Sequence, residues 1–165
     1  MIDDTDKKIL GFLQENARIP SSTIARKIGM ANSAVSERMR KLEEKGVIHG
    51  YEARLNVEAL ELSLTAYIFV RTDESAAKWD TAEKLVKIDA IQEVHNIAGE
   101  DCYLVKTRVK DTNALGALLR DEIGRIETVR STKTTIVLET YKETARLPIE
   151  ATGRKGKKAT AKAGQ

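Results

Sequence analysis

The sequence predicts an α+β fold in two parts, and three observations support this prediction. Within residues 3–46, apolar side chains recur at helical spacing in three short stretches that are separated by turn residues. Beyond residue 60 the period changes to two, in stretches rich in β-branched and aromatic residues. Two further helical stretches interrupt these strands, so the order is β-α-β-β-α-β. The first part is therefore predicted to be a winged helix-turn-helix domain, and the second a ferredoxin-like domain.

The first two helices are bounded by turn and capping residues. Helix one is expected over residues 3–16, with acidic residues in its first turn, where negative charge favours the helix dipole. Helix two begins after Pro20, with Ser21 or Ser22 as the expected N-cap, and ends at the turn residue Gly29. The second and third helices are therefore predicted to cross at a short glycine turn, as in a helix-turn-helix.

The third helix is expected over residues 32–45 and ends at Gly46. Its apolar stripe has the spacing i, i+4, i+7 and consists of Val35, Met39 and Leu42. Basic residues lie on its free side, and a basic second helix after a short turn is typical of proteins that place a helix in the DNA major groove. The extended residues 47–51 are expected to form the wing.

The second part is predicted to hold four strands and two helices after a connector at residues 52–60. The predicted elements are strand 62–71, helix 75–88, strand 91–98, a turn at 99–101, strand 102–109, helix 112–123 and strand 129–141, with Ile136 and Leu138 on one face of the last. Both helices of such a fold cover the same face of the sheet. Because the first strand is apolar on both of its faces, the other face is expected to be buried against another copy of the chain.

Charge divides the chain into three regions. Residues 1–55 hold ten basic and eight acidic residues, residues 56–149 thirteen and sixteen, and residues 150–165 five and one. The mildly acidic middle region is not expected to be a nucleic-acid face. The predicted domains are a DNA-binding domain at 1–51, the connector at 52–60, a dimerisation domain at 61–145 and a basic, disordered tail at 146–165.

Composition argues against several classes of protein. No apolar run approaches the length of a membrane span and the N-terminus has no apolar signal region, so a cytoplasmic, DNA-associated protein is expected. The single Cys102 excludes an internal disulfide. His49, His95 and Cys102 stand in no arrangement typical of a nucleophile, a base or a metal site. Neither catalysis nor a metal or cofactor is therefore predicted.

The free face of the third helix carries the candidate DNA contacts. These are Asn32, Ser33, Ser36, Glu37, Arg38, Arg40 and Lys41. Basic side chains reach phosphates, Arg pairs with guanine through two hydrogen bonds, and short polar side chains near a helix start contact base edges or the DNA backbone. The alternative is a solvated charged face stabilised by local pairs such as Arg40–Glu44. Arg38 and Arg40 are the first candidates for DNA contact.

Residues 2–142 resemble the Lrp/AsnC family, the feast/famine regulators of bacteria and archaea. The resemblance is carried by IDDTDKKILGFLQENAR, KLEEKGVIHGY, AGEDCYLV and TKTTIVLETYK. It implies an N-terminal domain that binds double-stranded DNA and a C-terminal domain that forms dimers, often stacked into tetramers or octamers. The chain departs from the family pattern at Ala31, where a capping Ser is usual, so Asn32 or Ser33 is expected to cap instead. It departs again at Cys102, where Asp is usual.

The resemblance also implies that a free amino acid binds the C-terminal domain. Glycine lets the backbone approach a carboxylate, neighbouring acids suit an ammonium group, and threonines on the last strand can add hydroxyls. The candidate effector residues are Gly99, Glu100, Asp101, Thr132, Thr134 and Thr135. From the residues alone, a plain hairpin turn with solvated acids remains the alternative.

The predicted function is that of a sequence-specific, double-stranded-DNA-binding regulator of transcription. A homodimer would bind DNA, and a small amino-acid-like effector at an interface of the C-terminal domain would modulate it. The alternative is an architectural, chromatin-like protein with weak sequence preference, helped by the basic tail. The ratio of specific to nonspecific affinity distinguishes the two.

Overall fold

A computed structural model describes residues 2–73, 80–99 and 102–149 of the chain. It divides into two compact units. One unit consists of residues 1–54 together with the chain from residue 144 onward, and the other of residues 55–143. The predicted turn residues Glu100 and Asp101, the first part of the predicted helix 75–88, and the tail from residue 150 lie outside the described residues.

The N-terminal unit contains the three predicted helices. They are α1 (Asp4–Glu15), α2 (Ser21–Ile28) and α3 (Asn32–Glu44). Their apolar stripes meet in one core that contains Ile9, Leu13, Ile24, Ala25 and Val35. The helical periodicity of the sequence therefore predicted each helix to within about two residues, because each helix buries one stripe.

The capping residues differ from the prediction. Helix α1 begins with a reciprocal capping box, in which the Asp6 N–H donates to Asp3 Oδ1 and the Asp3 N–H donates to Asp6 Oδ2. Helices α2 and α3 instead begin after Pro20 and Ala31, and no side chain caps either start. The expected caps at Ser21 or Ser22, and at Asn32 or Ser33, are therefore wrong, because those residues already lie inside the helices.

The segment after α3, predicted to be extended, turns back toward that helix at its start. The N–H groups of Val47 and Ile48 both donate to the carbonyl oxygen of Leu42, at 2.8 and 3.2 Å. Gly46, with φ +64°, makes this reversal possible, since L-residues rarely adopt that backbone angle. Residues 47–51 therefore fold back onto the end of α3, and no strand is assigned there.

The second unit is a four-stranded antiparallel sheet with helical segments on one face, as the ferredoxin-like prediction requires. Its elements are β1 (Leu64–Thr72), α4 (Asp80–Leu85), β2 (Ile91–Asn96), β3 (Tyr103–Val109), α5 (Thr112–Ala117) and β4 (Val129–Ile136). The strand order is β2-β3-β1-β4. The α+β fold class is thus confirmed. No helix in the described ranges is long and apolar enough to cross a membrane.

Two elements of this unit end differently from the prediction. The helix expected over 112–123 is α-helical only to Ala117, then makes a π-turn (Leu118–Glu122) and a 3-10 turn (Ile123–Arg125). A Cβ at Gly124 would lie 2.8 Å from the Leu119 carbonyl oxygen, so this tight ending requires glycine. The last strand ends at Ile136 rather than residue 141, and Leu138 is almost fully exposed instead of sharing a strand face with Ile136.

The two faces of the sheet differ in what covers them. On one face, Ala66, Ile68 and Val70 of β1 are fully buried against helical residues such as Leu85 and Leu115. The opposite face, called the open face below, carries Tyr67, Phe69, Leu104, Lys106 and Thr135. Tyr67 is 36% exposed there. Burial of the open face by a second copy remains a prediction.

Candidate nucleic-acid interface and ligand-binding hairpin

A cluster of small polar side chains joins the starts of α2 and α3. The Ser21 hydroxyl donates to Asn32 Oδ1 at 2.8 Å, and the Ser36 hydroxyl donates to Ser21 Oγ at 3.2 Å. Both hydrogen bonds are exposed to solvent. The cluster fixes the two helices relative to each other through groups that can also bond to an external ligand.

The same two helix starts are suited to anions. Asp3 caps α1 and Asp111 caps α5, whereas α2 and α3 carry no side-chain cap. A helix start presents unpaired N–H groups and a partial positive charge, both of which favour phosphate. The two helices of the helix-turn-helix therefore offer their first turns to an external acceptor.

The outer face of α3 is exposed and polar. Val35 and Leu42 are buried and Met39 packs partly against the core, so the opposite side of the helix faces solvent. Six of the seven predicted contact residues are exposed on this helix, namely Asn32, Ser33, Ser36, Glu37, Arg40 and Lys41. The structure therefore brings most of the predicted DNA face together on one surface.

The cations of this face are paired with neighbouring acids. Arg40 donates to Glu37 at 2.7 and 2.9 Å and also pairs with Glu44, and Lys41 lies 3.3 Å from Glu37. Hydrogen bonds from Arg40 and Lys41 lower the pKa of Glu37 to about 2. The local pairing that the sequence left open is thus present. Exposed pairs of this kind contribute little free energy. A phosphate could therefore replace Glu37 or Glu44 as the partner of Arg40 and Lys41.

Arg38 has different partners from those expected for a DNA contact. Its Nη1 atom donates to Asp3 Oδ2 and to Asp6 Oδ1, both at 2.7 Å. The Asp6 backbone N–H and the Arg38 guanidinium together lower the pKa of Asp3, and both carboxylates raise the pKa of Arg38. Arg38 therefore ties α3 to the capping box of α1. Sequence reasoning missed this role because the partners lie more than 30 residues earlier in the chain.

The helix start at Ala31 yields a first prediction. Ala31→Asp should supply the missing cap and stabilise the chain by about 1 kcal/mol, since Asp is among the preferred N-cap residues. The same carboxylate would occupy the α3 amides and repel phosphate, so DNA affinity should fall. Thermal unfolding and fluorescence anisotropy with labelled DNA measure the two effects. Ala31→Ser, which adds a neutral cap, is the control, and a loss of stability in Ala31→Asp would contradict this account.

The candidate effector hairpin is described on both sides of its tip. Gly99 has φ +140°, a conformation that favours glycine. The Cys102 N–H donates to the Val70 carbonyl oxygen at 3.0 Å, and the Cys102 carbonyl accepts from the Ile97 N–H at 3.0 Å. Cys102 thus attaches the base of the hairpin to the sheet. Its thiol lies 3.7 Å from the Thr72 carbonyl oxygen.

The three candidate threonines of β4 lie on two faces of the sheet. Thr132 is opposite Val70 and Thr134 opposite Ile68, so both are on the helix-covered face. Thr135 is opposite Tyr67 and lies on the open face. Because the Cys102 N–H donates to the carbonyl oxygen of Val70, Thr132 is at the same end of the sheet as the hairpin. Thr132 and Thr135 therefore lie on opposite faces of the sheet, and Thr132 is nearer to the end at which the hairpin lies.

A charged cluster on the open face was not found from the sequence. Lys106 is nearly buried, donates to Glu93 at 3.1 Å and pairs with Glu143, which also bonds to Arg108 at 3.1 Å. Lys106 lines a half-open cavity of about 330 Å³, together with Thr65, Tyr67, Val137 and residues 139–143. Hydrogen bonding to Glu143 raises the pKa of Lys106 and lowers that of the glutamate. Alternation along β3 is enough to place Lys106 on this face. Its pairing with Glu143 could not be predicted, because the two residues are 37 positions apart in the sequence.

A helix-turn-helix unit with an exposed polar second helix, joined to a β-α-β-β-α-β domain, defines a two-domain, DNA-binding regulator of transcription. Residues 2–49 match the family model described as winged helix-turn-helix DNA-binding. Residues 65–147 match the model described as the Lrp/AsnC ligand binding domain. The chain belongs to the Lrp/AsnC family of transcriptional regulators. The resemblance inferred from the sequence is thus confirmed.

Relatives of known type align over nearly the whole chain. The HTH-type transcriptional regulator FL11 of Pyrococcus furiosus is 39% identical over 151 residues, covering 91% of this chain and 98% of the relative. The leucine-responsive regulatory protein of Escherichia coli is 35% identical over 153 residues, covering 90% and 92%.

Two similar solved structures contain an amino acid. A transcriptional regulator of Neisseria meningitidis in complex with L-methionine superposes with a TM-score of 0.84 at 30% identity, covering 90% of this chain and 97% of that one. The feast or famine regulatory protein of M. tuberculosis, also complexed with L-methionine, gives 0.83 at 32% identity, covering 91% and 100%.

Proposed function

We propose that this regulator binds specific double-stranded DNA sites through α3 and that a free amino acid at its second unit modulates the binding. The observation that supports this most is the exposed polar face of α3 beside two uncapped helix starts. Phosphates would occupy the helix starts and position the unit. Side chains of Ser33, Ser36 and Glu37 would then read base edges, since contacts to base edges rather than to phosphates carry sequence information.

A homodimer suits this mode of binding. The open face carries Tyr67, Phe69 and Leu104 between its charged residues, and apolar side chains on a sheet face favour association. Two copies would place two α3 helices in successive major grooves, about 34 Å apart or a multiple of it. Further stacking of dimers into tetramers or octamers is part of the same proposal.

An α-amino acid is the effector class that the hairpin fits best. The positive φ of Gly99 is a glycine conformation that lets the backbone approach a carboxylate. The residue types Glu100 and Asp101 suit the ammonium group, and Thr132 can add a hydroxyl. The solved relatives with L-methionine support this class. The ligand would act by stabilising one assembly more than another, since equal affinity for both shifts nothing.

The experiment has a DNA arm and a ligand arm. Footprinting on selected DNA fragments should reveal discrete protected sites, with specific binding at least about a thousandfold tighter than nonspecific binding at physiological salt. A ratio near unity would instead support an architectural role. Cytoplasmic residence with DNA, no catalytic activity, and no cofactor beyond the effector belong to this proposal, since the named relatives are regulators of transcription.

The ligand arm uses a matched pair of threonine variants. A thermal-shift screen against the twenty amino acids should raise Tm for at least one, since a ligand that binds only the folded state stabilises it by about 2.7 kcal/mol at a hundred times its Kd. Thr132→Val should raise the Kd for that ligand about tenfold, because it removes a hydroxyl without changing shape. Thr135→Val, on the opposite face, should leave the Kd unchanged. An equal effect of both variants, or no ligand at all, would refute the hairpin site.

A further inference from the structure

Three side chains of α2 and α3 form a directed chain of hydrogen bonds. The Ser36 hydroxyl donates to Ser21 Oγ at 3.2 Å, and the Ser21 hydroxyl donates to Asn32 Oδ1 at 2.8 Å. Ser36 and Asn32 are exposed, and Ser21 is half-buried. The chain of bonds therefore lies on the surface that the proposed function assigns to DNA, and it ends on the first residue of α3.

The direction of these bonds follows from the number of protons that each group carries. A serine hydroxyl has one proton to donate, whereas an asparagine side chain has an acceptor oxygen and two N–H donors. Ser21 accepts from Ser36, so its own proton is left for Asn32 Oδ1. The opposite orientation of the amide would give Ser21 two donors and leave its proton without an acceptor in this cluster. Each bond also polarises the next, which strengthens both.

The bond to Ser21 decides which end of the Asn32 amide is available to DNA. It turns Oδ1 toward α2, and Nδ2 forms no hydrogen bond within the described ranges. Where DNA displaces water from this surface, an amide oxygen without a donor would cost free energy, and Ser21 removes that cost. The Asn32 side chain is thus arranged to donate hydrogen bonds to DNA.

An amide held in this way does not suit the base with which asparagine usually pairs. Asparagine pairs with adenine through two bonds, in which its oxygen accepts from N6 and its nitrogen donates to N7. That pairing requires Oδ1 and Nδ2 to face the same base edge, and the bond to Ser21 disfavours it. Guanine presents two acceptors in the major groove, N7 and O6, whereas cytosine presents a donor. Guanine therefore offers the most acceptors to Nδ2 of Asn32.

We propose that Asn32 is a specificity-determining residue that reads guanine by donating from Nδ2, and that Ser21 is the positioning residue that holds the amide in this orientation. The proposal rests on the DNA-binding function proposed above and adds to it the base that is read at the start of α3. The N-terminal residues of a recognition helix are the ones that contact base edges, and Asn32 is the first residue of α3.

The test measures base preference as well as affinity. Binding sites for the full chain are selected from random double-stranded DNA, and each position of a selected site is then replaced by every other base pair. The wild type should favour guanine by about tenfold at one position of each half-site, and Asn32→Ala should remove the preference at that position alone. An equal loss by Asn32→Ala on every base pair would indicate a phosphate contact and overturn the proposal.

The positioning role is tested by Ser21→Ala. Removal of the hydroxyl frees Asn32 Oδ1, so the ratio of the affinities for adenine and guanine at that position should rise about tenfold. Tm should change little, because both hydrogen bonds are exposed to solvent. Ser22→Ala, at the next position of α2, is the matched control and should keep the preference for guanine. A wild-type preference in Ser21→Ala would overturn the positioning role.

A second variant of Asn32 tests the direction of the hydrogen bond to the base. Asn32→Asp keeps the shape and the acceptor for Ser21, but it replaces the Nδ2 donor by an acceptor oxygen. The preference at that position should change from guanine to cytosine, whose N4 donates to carboxylates, and the overall affinity should fall because the added charge repels phosphates. A preference for guanine that persists in a folded Asn32→Asp protein would refute the reading by donation.

The outcomes separate this proposal from the function on which it rests. Discrete protected sites with no base preference that depends on Asn32 or Ser21 would overturn the proposal, while sequence-specific DNA binding stands. Failure of the full chain to protect any discrete site would overturn both. A guanine preference that is lost in Asn32→Ala and changes toward adenine in Ser21→Ala supports the proposal.

Discussion

Ser36→Glu is expected to lower DNA affinity by about a hundredfold, or about 2.7 kcal/mol. Ser36 lies on the exposed face of α3, one turn from its uncapped start, so a carboxylate there would face bases and phosphates that are rich in negative charge. Binding to labelled operator DNA by anisotropy at fixed salt measures the loss. In a dimer the substitution acts twice, which makes this effect the largest expected for one change.

Two variants control for the fold and for the charge. Ser36→Ala removes only the hydrogen bond to Ser21 and should weaken DNA binding by less than tenfold. Asn113→Glu places the same charge at an exposed position of α5, on the helix-covered side of the second unit, and should leave DNA binding unchanged. Wild-type binding by a folded Ser36→Glu protein would refute the placement of α3 at the DNA.

Arg38→Ala is expected to destabilise the helix-turn-helix unit by about 1 kcal/mol, which is a fall in Tm of about 5 °C. The variant leaves Asp6, which is 9% exposed, without its guanidinium partner. Thermal unfolding at pH 7 measures the loss. Asp6→Asn should cost about the same, and the double variant little more than either, because both changes remove one interaction. Arg18→Ala, at an exposed loop position, is the control.

The same interaction has a predictable pH dependence. Asp3 has a pKa below its ordinary value of 3.8 in the folded chain, so its ionised form stabilises the fold above that pH. This contribution is lost as the pH falls through the lowered pKa. The difference in Tm between the wild type and Arg38→Ala should therefore be full at pH 7 and shrink below about pH 4.

DNA binding by these variants decides between two roles for Arg38. As a positioning residue, Arg38 should affect DNA affinity only through the folded fraction and the position of α3, so Asp6→Asn should weaken DNA binding as Arg38→Ala does. If Arg38 contacts a phosphate, Arg38→Ala should lower the DNA affinity directly. Asp6→Asn would then free the guanidinium and raise the DNA affinity. Strengthened binding by Asp6→Asn would refute the positioning role.

Much of the fold was predictable because its signals are local. The stripe that includes Val35 and Leu42 predicted α3, and the β-branched and aromatic residues of 62–71 predicted β1. Errors occurred at the ends of elements. The helix after Thr112 changes to a π-turn at Leu118 and ends tightly at Gly124. The last strand ends at Ile136, and Glu143 beyond it bonds to Lys106 and Arg108 on the open face.

In the candidate site, too, local features were predictable from the sequence and contacts between elements were not. Spacing along one helix was enough to place Ser33, Ser36 and Arg40 on a common exposed face, and strand alternation alone separates Thr132 from Thr135. The residue types of the hairpin suggested an amino acid only through family resemblance. Partners that belong to different elements, such as Arg38 with Asp3, had no signal in the sequence.

The sequence by itself determined the order of helices and strands, the polar face of α3 and the basic character of the C-terminal segment, since each depends on residues within a few positions of one another. Only the tertiary structure decided that Arg38 bonds to the capping box of α1 and that Gln14 holds Leu147. These contacts join residues 35 and 133 positions apart. Which of several suitable partners a side chain meets is set by how the elements pack, and spacing along the chain does not encode it.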